Sequence, residues 1–258
     1  MLDLGLKDKI AIITGGSDGL GRASAQRLAA EGAKVAIAAR RAEHLQHAAE
    51  EIRAATGGDV LAVPADITVA GDCERLAQAV LQRWGRVDIL LNNAGTSAAA
   101  PFLDVADEKW AADWDLKVMG AVRMLRLVLP HMRRQSDGRV VNITTINGKA
   151  PKARGLPTSV TRAAGINLTK ALASEYAADN IRVNTICIGV VRTAQMQRGI
   201  RDEDLDAHYA QMARDRVPLG RVAHASEFAD LFAFLVSDRA SYITGTAINF
   251  DGGGGATV

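Results

Sequence analysis

Little in this chain points outward. Of its 258 residues, 31 are Lys or Arg and 29 are Asp or Glu, a net charge of +2. No block of one sign builds the long-range field that draws a protein to nucleic acid, so nucleic-acid binding is not expected. Cysteine occurs twice, as Cys73 and Cys187 in apolar periodic segments. That reads as two buried free thiols in a reducing compartment, with no disulfide framework and no metal site. No apolar run approaches the ~20 residues of a membrane span. Met1 to Lys9 alternates charge with leucine where a signal sequence would carry an apolar core. Low-complexity tracts and short-period repeats are missing too. The expectation is a soluble cytoplasmic protein that does not meet a membrane. With 48% hydrophobic residues the chain can bury one large core, and residues 1–258 are expected to form one domain.

What is present is organised around Thr14-Gly15-Gly16-Ser17-Asp18-Gly19-Leu20-Gly21. The apolar run Ile10 to Ile13 precedes it, and Arg22 to Ala30 follows with apolar residues at helical spacing. In such a strand, glycine turn and helix, the backbone approaches a ligand closely and the free N–H groups at the helix start favour a phosphate. Further strands are read at Lys34–Ala39, Val60–Val63, Val87–Leu91, Arg139–Ile143, Ile181–Ile188 and Thr246–Phe250. Helices are read at Ala42–Ala55, Val69–Trp84, Glu108–Gln135, Thr158–Ala178 and Glu227–Val236. Strands and helices alternating at this spacing predict a doubly wound parallel α/β sheet of about seven strands, with its ligand at the C-terminal strand ends. The polar stretch Gln195 to Arg216 breaks the rhythm. It reads either as a lid over that ligand or as a solvated surface helix.

By these residues the chain resembles the short-chain dehydrogenase/reductase family in its single-domain form. The turn at 14–21 matches Thr-Gly-x-x-x-Gly-x-Gly, and Asn92-Asn93-Ala94-Gly95 matches a second family signature. Ile181-Arg182-Val183-Asn184, Arg221 and Asp251-Gly252-Gly253 resemble its C-terminal third. The resemblance implies a Rossmann-like fold and a nicotinamide cofactor. Gly15, Ser17, Asp18, Gly19, Leu20 and Gly21 would cradle ribose and pyrophosphate. Asp66 and Ile67 would meet the adenine, and Asn93, Ala94 and Gly95 the nicotinamide-side ribose. Gly189, Val191 and Thr193 would complete the contacts. An NAD site commonly places an acid near the end of the second strand. Here stand Ala39-Arg40-Arg41, and an arginine fork suits a 2′-phosphate, so NADP(H) is favoured over NAD(H).

At the reacting end the resemblance departs from pattern. The family relies on a serine, a tyrosine, a lysine four residues later and an asparagine on the long helix. Registered on Asn142-Ile143 and Leu168-Thr169-Lys170, this chain has Thr145, Thr158, Arg162 and Lys117 at those positions. Thr145 keeps a hydroxyl donor. Thr158 lacks a phenol; an aliphatic hydroxyl is a far weaker acid and is not expected to replace the proton donor. Arg162, on the same helical face, can hold ribose or stabilise an anion without relaying a proton. Lys117 titrates lower if buried beside Arg162. Two readings follow: an oxidoreductase with a rebuilt site, acting on a carbonyl or an activated C=C of a small-molecule or acyl substrate, or a catalytically silent NADP(H)-binding subunit or sensor paired with an active relative. His208 or Tyr209 from the lid is a further candidate acid. Lys149, Lys152 and Arg154 make a basic loop beside the site, either solvated or receptive to an acidic carrier. The resemblance also implies a homotetramer or dimer through the long helices, or a hetero-oligomer with an active relative.

Overall fold

The computed structural model describes residues 3–197 and 199–257, without the side chain of Gln195. In chain order the elements are β1 (Ile10–Thr14), α1 (Gly19–Ala30), β2 (Lys34–Ala39), α2 (Ala42–Thr56), β3 (Val60–Pro64), α3 (Ala70–Trp84), β4 (Ile89–Asn92), α4 (Asp107–Trp114) and α5 (Gly120–Gln135). They continue as β5 (Gly138–Thr145), α6 (Thr158–Tyr176), β6 (Ile181–Ile188), α7 (Ala194–Gln197), α8 (Leu205–Arg216), α9 (Ala225–Val236) and β7 (Ala247–Phe250). The seven strands form one sheet in the order β3-β2-β1-β4-β5-β6-β7, every pair parallel.

Strands such as β1 and β2 are nearly continuous apolar runs because both faces of a parallel sheet are covered. One face packs on α1, α2 and α9 through residues such as Leu28, Leu45 and Phe232. The other packs on α3 and α5 through Leu76, Met124 and Val128. The chain reverses winding between β1 and β4, which opens a crevice at their C-terminal ends.

Two departures from the sequence reading bear on function. The long helix expected over Glu108–Gln135 is interrupted: Asp115–Met119 adopts a wider π turn between α4 and α5. The polar stretch after β6 is less solvated than its composition implies. Along α8, Tyr209, Met212 and Ala213 are buried and form a small cluster with Val222. Arg198 within that stretch lies outside the described residues.

A buried polar row fixes α6 against the sheet. Asn92 Nδ2 donates to Asn142 Oδ1 at 2.9 Å, Asn142 Nδ2 donates to the Thr169 hydroxyl at 2.9 Å, and Thr169 meets Thr185 Oγ1 at 2.6 Å. Thr169→Val keeps the shape and strands two buried partners, so it is expected to lower unfolding free energy by about 1–3 kcal/mol, read by urea denaturation.

Candidate functional site

The turn after β1 is drawn tight by close backbone approach. Gly15 has φ +64°, and a Cβ on Gly21 would lie 2.2 Å from the Gly15 carbonyl oxygen. The Thr14 hydroxyl donates to Leu91 O at 3.2 Å and accepts the backbone N–H groups of Asn93 and Ala94 at 3.0 and 3.1 Å. Asn93 Nδ2 donates to Thr14 O and Gly15 O at 2.9 and 3.0 Å. The ends of β1 and β4 are thus laced together, and Gly15, Ser17, Asp18, Gly19 and Leu20 of the turn line a cleft of about 700 Å³ at the switch in strand order.

Every candidate cofactor position lines that cleft except Gly21. Gly21 sits inside the turn, where its missing side chain admits the Gly15 carbonyl; its contribution is steric rather than a contact with ligand. Asn93 also braces the site: its Nδ2 is engaged by the turn, while the residue still lines the cleft. At the far end Arg40 is exposed and has no ion-pair partner among the described residues, whereas Arg41 and His44 both lean on the Asp18 carboxylate, at 3.7 and 3.3 Å. Arg40 is therefore the unencumbered cation beside the β2 end.

At the other end Thr145, Thr158 and Arg162 line the same cleft. Arg162 extends from the first turn of α6 across Gly95, where a Cβ would stand 2.8 Å from its Nη2. Its Nη1 donates to Ile143 O at 2.6 Å, and its buried Nε has no partner. Burial lowers the guanidinium to about 10, with the Asp113 carboxylate opposing, so it stays charged at neutral pH. Thr145 Oγ1 is likewise buried and unpartnered. Both residues line the cleft, and each carries a buried polar atom without a partner.

Lys117 does not line the cleft. The π turn directs it inward behind Thr158, where its side chain and that of Asp113 are 0% and 2% exposed and form an ion pair. Lys117 Nζ also donates to Thr158 Oγ1 at 3.0 Å, and the Thr161 hydroxyl donates to Asp113 Oδ2 at 2.7 Å. Burial, then repulsion by Arg162, lowers Lys117 to about 8, against the pull of Asp113. Asp113 and Thr161 were not singled out from the sequence. The only available signals were the four-residue spacing of Asp113 to Lys117 and the three-residue spacing of Thr158 to Thr161, both common on helix surfaces.

The lid candidates fare differently. Thr193, Ala194 and Met196 border the cleft, but His208 and Tyr209 do not. Tyr209 is buried in the α8 cluster, its ring 4.6 Å beneath the Arg192 guanidinium, which removes it as an acid from that quarter. In the basic loop, Lys149 Nζ is held by Ala247 O at 2.6 Å.

Comparison with known proteins places this geometry. A family model described as enoyl-(acyl carrier protein) reductase matches residues 15–254. Oxidoreductase UcpA of Escherichia coli (strain K12) is 35% identical over 252 residues, covering 96% of this chain and 95% of that protein. The structure of L-sorbose reductase from Gluconobacter frateurii, complexed with NADPH and L-sorbose, superposes with a TM-score of 0.93 at 35% identity over 100% of both chains. A short-chain type dehydrogenase/reductase from Mycobacterium marinum does so with a TM-score of 0.89 at 31% identity, over 99% of this chain and 98% of that one.

Gly21→Ala tests the turn. Its methyl group meets backbone, not a movable side chain, and is expected to cost about 1–3 kcal/mol in chemical denaturation.

Proposed function

We propose that this chain, which belongs to the short-chain dehydrogenase/reductase family, binds NADP(H) and reduces a carbonyl, or a C=C conjugated to one, at a site of unusual composition. The observation that carries the reading is one continuous cleft with an unpaired arginine at the β2 end and unpaired hydroxyl and guanidinium donors at the other. Arg40 would take the 2′-phosphate, the glycine turn the pyrophosphate, and Arg162 the nicotinamide-side ribose. When bound, the cofactor supplies a hydride.

This chain's residues then deal with the charge that develops on the substrate oxygen. Thr145 and Thr158 donate hydrogen bonds to it, and Arg162 adds a fixed positive charge in a partly dry site. That pattern favours an alkoxide or enolate over a cationic substrate such as an iminium. The silent-subunit reading has one supporting observation: no tyrosine lines the cleft among the described residues.

Calorimetric titration and an NADPH-oxidation assay separate the two. NADPH is expected to bind at least ~10-fold more tightly than NADH, and Arg40→Ala to erase that difference, in line with about 1.5–3 kcal/mol for a charged hydrogen bond. Turnover of L-sorbose, 9,10-phenanthrenequinone, acetoacetyl-coenzyme A or crotonyl-coenzyme A by the protein alone supports the reductase. Tight binding without turnover, together with activity in a Thr145→Ser, Thr158→Tyr, Arg162→Lys version, supports the silent subunit.

A homo-oligomer through α5 and α6 belongs to the same proposal. Between these helices runs an apolar groove of about 570 Å³, floored by Leu125, Leu129, Leu168 and Leu172 and rimmed by Arg126 and Arg133. A second copy of this pair is the occupant that continues it. Light scattering is expected to give a dimer or tetramer, and Leu172→Glu a smaller species.

A further inference from the structure

The threonine in the cleft and the lysine behind it are arranged as a donor chain. Thr158 Oγ1 accepts two hydrogen bonds, from the backbone N–H of Ala98 at 3.0 Å and from Lys117 Nζ at 3.0 Å. A hydroxyl has two acceptor lone pairs and one proton. With both lone pairs taken, the Thr158 proton is left to point away from both donors, on a residue that lines the cleft. On the far side Lys117 is positioned by Asp113, which is itself fixed by Thr161. Next to the ammonium lies a void of about 20 Å³ lined by Asn92, Asn142, Thr161 and Arg162, room for one water-sized sphere among polar groups.

We infer that Lys117 is the source of the proton that completes reduction, passing it through the Thr158 hydroxyl to the substrate oxygen. The inference rests on the reductase reading above. The substrate carbon gains the hydride, and the π pair of the C=O bond moves onto oxygen. In the conjugated C=C case the pair reaches the same oxygen as an enolate, and the enol formed on protonation then tautomerises, its α-carbon gaining a proton from solvent as the oxygen releases one. The Thr158 O–H bond breaks toward that oxygen while a Lys117 N–H bond breaks toward Thr158 Oγ1. Threonine ends unchanged, Lys117 ends as a neutral amine, and NADPH ends as NADP⁺. A proton from solvent then restores the ammonium.

The charges facing Lys117 support this direction of transfer. Among the described residues, Asp113 from α4 is the one carboxylate against it, and Arg162 from α6 is the one other cation. Thr158 and Thr161 on α6, Asn142 on β5 and Asn92 on β4 are neutral. The protonated trio carries one excess positive charge, which attracts an oxygen gaining negative charge. Releasing the proton ends the repulsion between Lys117 and Arg162. Burial and that repulsion bring the ammonium to about 8, close to working pH, where a general acid is most effective.

The experiment uses the full chain saturated with NADPH, the four carbonyl and enoyl probes named above, and ¹⁵N NMR of lysine-labelled protein. Lys117→Arg keeps a cation beside Asp113 that does not give up its proton. Thr158→Val leaves the ion pair untouched and removes the relay, and Thr158→Ser restores it. Wild-type single-turnover hydride transfer is expected to fall with rising pH through about 8, in step with the Lys117 resonance. Lys117→Arg and Thr158→Val are each expected to lose about 10²–10⁴-fold in rate together with that pH dependence. Their combination should lose little more, and Thr158→Ser should recover most of the rate. An unchanged pH profile in Lys117→Arg, or a Lys117 resonance that titrates only near the ordinary ~10.4, overturns the relay while leaving the reductase reading standing. Wild-type protein silent toward every probe overturns both.

Discussion

Where parallel strands part at a reversal of winding, the backbone groups at their ends lose their neighbours, and a crevice is useful only if those groups are satisfied from within. Here the obligation falls on the seam between β1 and β4. The Thr14 hydroxyl and the Asn93 amide meet it, taking up backbone donors on one strand and carbonyls on the other. Buried backbone groups left unpaired are expensive, so this lacing is a condition for the cleft to exist. The glycines of the turn then decide how near a ligand can come. One seam thus fixes the strand ends, the turn and the phosphate-binding end of the site together.

The reacting end is governed by a second constraint, the burial of charge. An ammonium and a carboxylate with almost no exposure are costly to desolvate, and such a pair is tolerated only where further hydrogen bonds complete it. Thr158 and Thr161 supply those bonds from the start of α6. Lys117 lies within the π turn at Asp115–Met119, with its side chain buried behind the cleft wall. A pair held for stability alone has apolar substitutes of equal volume. This one also touches the hydroxyl of a residue that lines the cleft.

Most of the fold was legible because a parallel sheet buried on both faces writes itself as apolar runs separated by amphipathic helices, and the turn at 14–21 marks the first crossover. The cofactor end was legible for the same local reason, since a glycine turn and the residues after each strand share one sheet edge. Three things were hidden. Asp113 looked like an ordinary acid on a helix whose first turn also holds Asp107 and Glu108, and no periodicity signals a π turn. Asn93 stood in a recognisable motif, but nothing in it signalled that the side-chain nitrogen braces the turn. Tyr209 sits in a polar stretch, and composition does not reveal that one face of α8 packs inward. Each miss concerns which way a side chain points, a quantity set by tertiary contact.

The burial of α8 carries its own consequence. Its inward face is locked by Tyr209, Met212 and Ala213 against Val222, with Arg192 stacked on the tyrosine ring. Only the short stretch around α7 borders the cleft from this side. A shift of α8 would expose that apolar cluster to water, so any rearrangement of the cleft wall on this side falls to the α7 segment.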